Sequence, residues 1–178
     1  MTARISFLIL ALILLGGGLY VRAHNAASAK SQVANIQSLD SANAAGTNPA
    51  IASLKSYVKD HMGATAKFTL TGSYQRAVTA ANAAAAVAAA NARVYAAAQA
   101  ACSGHTDSIT QAECNQRYLA QHLVTEPSSA ASATPPALAA YEYNLSAPAW
   151  TPDLAGALLL GAAAALVLAV AWPRRRRR

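Results

Sequence analysis

Two stretches of the chain run on without a charged residue. Ile5 to Val21 reads ISFLILALILLGGGLYV and Leu154 to Trp172 reads LAGALLLGAAAALVLAVAW. As helices they would extend about 26 Å and about 28 Å, close to the ~30 Å hydrocarbon core of a bilayer. Trp150 and Trp172 bracket the second stretch, about 33 Å apart on a helix, where an interfacial aromatic belt would fall. The pattern predicts transmembrane helices over 5–21 and 153–172. In the second, Ala157, Gly161, Ala165 and Ala169 form a small-residue stripe suited to close helix packing, and Gly16, Gly17 and Gly18 of the first are its natural partners.

Between the spans the periods are shorter. Ala26, Ala29, Val33 and Ile36 mark one face of a helix that Gly46 would stop. Asn48 as cap, Pro49 in the first turn and Gly63 at the end frame a second helix, with Ile51, Leu54, Val58 and Met62 as its apolar face. The stretch AKFTLTGS alternates, with Phe68 and Leu70 on one side and Lys67, Thr69 and Thr71 on the other. A strand without a partner is unstable, and none is evident, so a connector is expected there.

A long third helix is predicted from Tyr74 to Ala101, because 16 of the 25 residues from Ala77 to Ala101 are alanine, the best helix former. Alanine buries little area, so this helix gains little from packing. Gly104 breaks it, Thr110 and Glu113 have capping-box spacing, and a last helix from Ser108 to Leu123 carries Ile109, Ala112, Leu119 and Leu123. Pro, Ser and Ala dominate 124–152, which reads as a linker. The expected fold class is all-α: two transmembrane helices flank a small exported alanine-rich bundle of three to four helices with one disulfide. The expected divisions are 1–4, 5–21, 22–123, 124–152, 153–172 and 173–178.

Charge fixes the expected orientation. The net charge is +7, but the excess sits at the ends. From Ala23 to Pro152 the bases Lys30, Lys55, Lys59, Lys67, Arg76, Arg93 and Arg117 nearly balance Asp40, Asp60, Asp107, Glu113, Glu126 and Glu142. A near-neutral middle offers no footprint for a phosphate backbone, so no nucleic-acid partner is expected. Arg174, Arg175, Arg176, Arg177 and Arg178 follow the second span, whereas no Lys or Arg lies between Ala133 and Asp153. Basic residues are retained on the cytoplasmic side. The expectation is a plasma (inner) membrane protein with both termini cytoplasmic, an extracytoplasmic centre, and the bilayer and other envelope proteins, or further copies of itself, as partners.

Candidate chemistry is sparse. Cys102 and Cys114 flank a corner in an exported region, which favours a disulfide over a metal site made with His105 and His122, whose spacing lacks paired ligands. Ser103, His105, Asp107 and Ser108 read as turn and capping residues rather than a nucleophilic triad. His24 and His61 have no acidic or cysteine partner at ligand spacing and read as solvated. No cofactor, metal or catalytic site is expected, and an enzyme is not the expected class.

The function expected is a structural or protein-interaction component of a bacterial-type envelope. The alternative is a secreted surface-protein precursor. An apolar core after Arg4, followed by Ala27-Ser28-Ala29, has the layout of a secretory signal. The stretch from Asp153 to Arg178 resembles bacterial surface-protein sorting signals, in which an apolar segment and a basic end follow a recognition motif. That resemblance implies C-terminal sorting or retention. Before Trp150 the chain reads NLSAPAW, without an LPxTG-like pentapeptide.

Overall fold

A computed structural model describes residues 2–104, 107–124 and 134–171. Trp172, the five terminal arginines and His105 lie outside the described residues. The described chain is mostly helical, in the order α1 (Thr2–Ser41), α2 (Thr47–Asp60), β1 (Thr65–Thr69), α3 (Thr71–Cys102), α4 (Ser108–His122), a 3₁₀ turn (Leu138–Tyr141), β2 (Glu142–Ser146) and α5 (Leu154–Ala171). It forms two compact units, one from Met1–Gly72 with Tyr141–Arg178 and one from Ser73–Ala140.

In the first unit the expected span and the helix after it are one rod, α1. No proline interrupts it, and the glycines at 16–18 do not break it. Its buried residues Ala11, Gly18, Asn25, Ala29, Ile36 and Asp40 recur at four- or seven-residue intervals, so one stripe continues down the helix. The stripe meets α5 along the first half and the core of the unit along the second. α1 ends before the expected Gly46, because Asn43 turns left-handed at φ 54°. The Ala44 N–H donates to Leu39 O at 2.9 Å and the Asn43 N–H to Asp40 O at 3.1 Å, the pairing of a Schellman stop.

α2 starts two residues earlier than Asn48 capping would place it. Gly46 stands at the cap without a side-chain bond, and Pro49 falls in the first turn, where its missing N–H costs nothing. Ile51, Leu54, Val58 and Met62 are all buried. Gly63, at φ +82°, makes the turn out of the helix.

The all-α expectation is corrected at 65–69. β1 pairs antiparallel with β2 in the register Thr65↔Ser146, Phe68↔Tyr143 and Thr69↔Glu142. The expected connector is therefore a strand, and part of the expected linker 124–152 is its partner. Ala66, Phe68 and Leu70 point inward, and Phe68 stacks on Tyr143 with ring centroids 5.0 Å apart. The core is Ala29, Ile36, Ile51, Leu54, Val58, Ala64, Ala66, Phe68 and Leu70, flanked by half-buried Tyr57, Tyr141, Tyr143 and Leu145.

The second unit is held differently. α3 buries only Ala81, Ala98 and Cys102, and α4 buries no residue. Cys102 and Cys114 form a disulfide with Cα atoms 5.9 Å apart. Just past the C-terminal end of α4, the Asn91 amide donates to Val124 O at 3.1 Å and its oxygen accepts the Val124 N–H at 2.9 Å. The helices are thus bracketed at two points. The capping-box reading is corrected: Asp107 caps α4, accepting the Thr110 N–H at 3.1 Å. Those N–H bonds, Thr110 first, hold the exposed Asp107 carboxyl below the usual aspartate value. Ile109, placed on the apolar face from the sequence, is 68% exposed.

Candidate functional site

The first unit gathers its polar groups where the apolar half of α1 meets α5 and the α2–β1 corner. Asp153 precedes α5, and one carboxylate oxygen accepts the Gly156 N–H at 2.9 Å, the geometry of a helix cap. The other accepts the Met62 N–H at 2.8 Å and the Asn25 amide at 3.2 Å. Asn25 is buried and also donates to Met62 O at 3.1 Å. Three segments remote in sequence therefore converge on one carboxylate.

Burial pushes that carboxyl up, but the Gly156 and Met62 N–H groups, then Thr151 and His61, outweigh it and hold it below the usual aspartate value. Thr151 is buried beside it, and its hydroxyl has no partner in good hydrogen-bond geometry among the described residues. Gly156 is obligatory here: a Cβ would lie 2.1 Å from Thr151 O and 3.1 Å from Trp150 Nε1. His61, expected to be solvated, is half-buried instead. It stacks on Tyr57 at 4.1 Å with its Nδ1 2.9 Å from Tyr57 O. His24 is exposed.

A second junction lies at the far end of α1. The Gly72 N–H donates to Asp40 Oδ2 at 2.8 Å, and Asp40 is 1% exposed. Beside it the Leu70 N–H donates to Tyr141 O at 3.0 Å. The chain leaves the first unit and returns to it beside this backbone bond.

Below the Asp153 junction α1 and α5 run antiparallel. Arg4 donates to Val170 O at 3.4 Å. A Cβ at Gly161 would meet Leu14 at 3.2 Å, one at Gly17 would meet Leu158 at 3.5 Å, and one at Gly18 would meet Leu159 at 2.9 Å. Ala165 and Ala169 of the expected stripe are buried and Gly161 is half-buried, but Ala157 is exposed. The buried face of α5 runs through Ala155, Leu158, Ala162, Ala165 and Ala169, with Leu159 and Gly161 at its margin against α1, so packing follows the three-and-four alternation of a helix pair rather than a strict four-residue step. The opposite faces expose Leu12, Ile13, Leu160, Val167 and Val170. Trp150 is half exposed where α5 begins.

Sequence reasoning missed Asn25, Asp40 and Asp153, since each is an isolated polar residue whose partner lies far along the chain. Among the described residues no group of three His, Cys, Asp or Glu side chains could hold a metal ion. Cys102 and Cys114 are joined and so offer no free thiol. No family model, curated protein or solved structure matches the chain.

Proposed function

We propose that this protein is a hairpin-anchored envelope component, with both termini cytoplasmic and an extracytoplasmic module that serves a structural or protein-interaction role. The observation that carries the reading is the surface of the α1–α5 pair. Both helices are long and apolar enough to cross a membrane, and their outward faces are Leu, Ile and Val. A soluble protein does not leave so large an apolar surface in water. The surface ends at the Asn25–Asp153 junction, beside Trp150, where a bilayer gives way to water.

The secreted-precursor alternative is less well supported. Ala27-Ser28-Ala29 lies inside continuous α1, and Ala29 is fully buried in the core. Cleavage there would remove Ala29 from the core and Asn25 from the Asp153 junction. The test is labelling with a membrane-impermeant maleimide, the native disulfide left intact. Lys55→Cys should react in intact cells, and a cysteine appended after Arg178 should react only after lysis. Reaction of the appended cysteine in intact cells would refute the topology.

A further inference from the structure

We propose that the free edge of β2 is a docking site for an extended segment of a partner protein, one that places an acidic side chain against Tyr143 and an apolar one against Leu145. The ladder fixes which backbone groups are available. Leu70 donates to Tyr141 O and Ala147 donates to Ala64 O, so odd-numbered residues of β2 turn their backbone groups toward β1. Glu142, Asn144 and Ser146 therefore aim theirs away from it, and none has a partner among the described residues. Unpaired edge groups of this kind template strand addition.

The surroundings of that edge define the occupant. α1 packs on β1 and α2 packs on β2. An added strand would thus lie under the exposed lysines of α2. Tyr143 and Leu145 are only half-buried, so the inner face of the sheet is incomplete on this side. The Lys55 ammonium stands 5.2 Å from the Tyr143 ring centroid, and no described carboxylate pairs with it. Lys59 lies one turn further along. A carboxylate entering opposite Tyr143 would meet the Lys55 ammonium, and an apolar side chain two residues away would complete the cover over Leu145.

A second copy is the wrong occupant, and here the inference rests on the membrane reading. β1 runs from the Asp153 junction toward Asp40, so both strands lie along α1 and across the membrane plane. Copies sharing a membrane are related by rotation about its normal. That operation sets two β2 edges parallel with their outward groups level, whereas a parallel ladder needs them staggered.

The test uses the full chain in lipid nanodiscs, where both faces are open and orientation in the cell is irrelevant. The probe is the fluorescent, end-blocked peptide Val-Thr-Glu-Thr-Val-Thr, compared with its Lys-for-Glu counterpart. The expected result is saturable binding of the Glu peptide, with the Lys peptide about tenfold weaker. Asn144→Pro removes one outward N–H without touching the ladder. It should weaken binding about tenfold while thermal unfolding, followed at Trp150, shifts by no more than about 2–4 °C. Lys55→Glu should invert the preference, a readout that stands even where the proline variant unfolds. Absence of saturable binding to about 1 mM, equal binding of the two peptides, or wild-type binding by a folded Asn144→Pro overturns the proposal. A dimer in the nanodiscs that Asn144→Pro disperses would assign the edge to a second copy and also overturn it.

Discussion

The two units of this chain solve the same problem with different materials. The first buries Ile36, Leu54, Val58 and Phe68 in one cluster and pins it with Asn25, Asp40 and Asp153. The second has a 32-residue helix that buries three residues, two of them alanine. Burying a Leu or Phe side chain stabilises by about 1.5–3 kcal/mol, and an alanine contributes far less. The second unit replaces that missing burial with a disulfide from the end of α3 to the middle of α4 and the Asn91 bracket just past the C-terminal end of α4. Large apolar residues hold a fold through many weak contacts, whereas small ones leave it dependent on a few specific links.

The comparison predicts that damage stays within a unit. The largest effect is expected at Leu54, fully buried in the first core. Leu54→Ala should cost about 2–5 kcal/mol, read as early hydrogen exchange across α2 and β1 with α3 and α4 unchanged. The paired substitution Cys102→Ser with Cys114→Ser should cost the second unit about 3 kcal/mol. It should free α4 to exchange while the Leu54 core stays protected. Equal loosening of both units by either change would end the distinction drawn here.

Smaller effects test the pins. Asp153→Ala should cost about 2 kcal/mol, since it removes a cap and leaves the buried Asn25 amide short of an acceptor. Because the Asp153 pKa is depressed on folding, its contribution is present above the unfolded aspartate value. It is lost as pH falls through the folded one. Acid unfolding of the first unit, followed by Trp150 fluorescence, should therefore lose its low-pH step in Asp153→Ala. Asn91→Ala should cost about 1 kcal/mol and expose only the C-terminal end of α4. Asp107→Ala should be smallest, fraying the first turn of α4 as faster exchange at the Thr110 amide.

Local pattern carried much of this architecture. The apolar runs that become the first half of α1 and α5, the buried face of α2, the alanine-rich α3 and the Cys102–Cys114 pair were all readable from composition and spacing. The sheet was not. β1 is five residues long and its partner lies beyond the whole second unit, so neither strand announces the other. A strand with alternating Ala66, Phe68 and Leu70 was legible only as half of something. The expected boundary between the apolar run and the helix after it is absent, because α1 is continuous there. The polar pins escaped because a lone Asn or Asp carries no signal until the fold supplies its partner.

The most direct test of the hairpin account is the intact mass of the protein purified from its native membrane, before and after reduction and alkylation. The account predicts the full 18.2 kDa chain, with Cys102 and Cys114 alkylated only after reduction. A product beginning near Ala29 or ending near Trp150, or thiols that react before reduction, would contradict it.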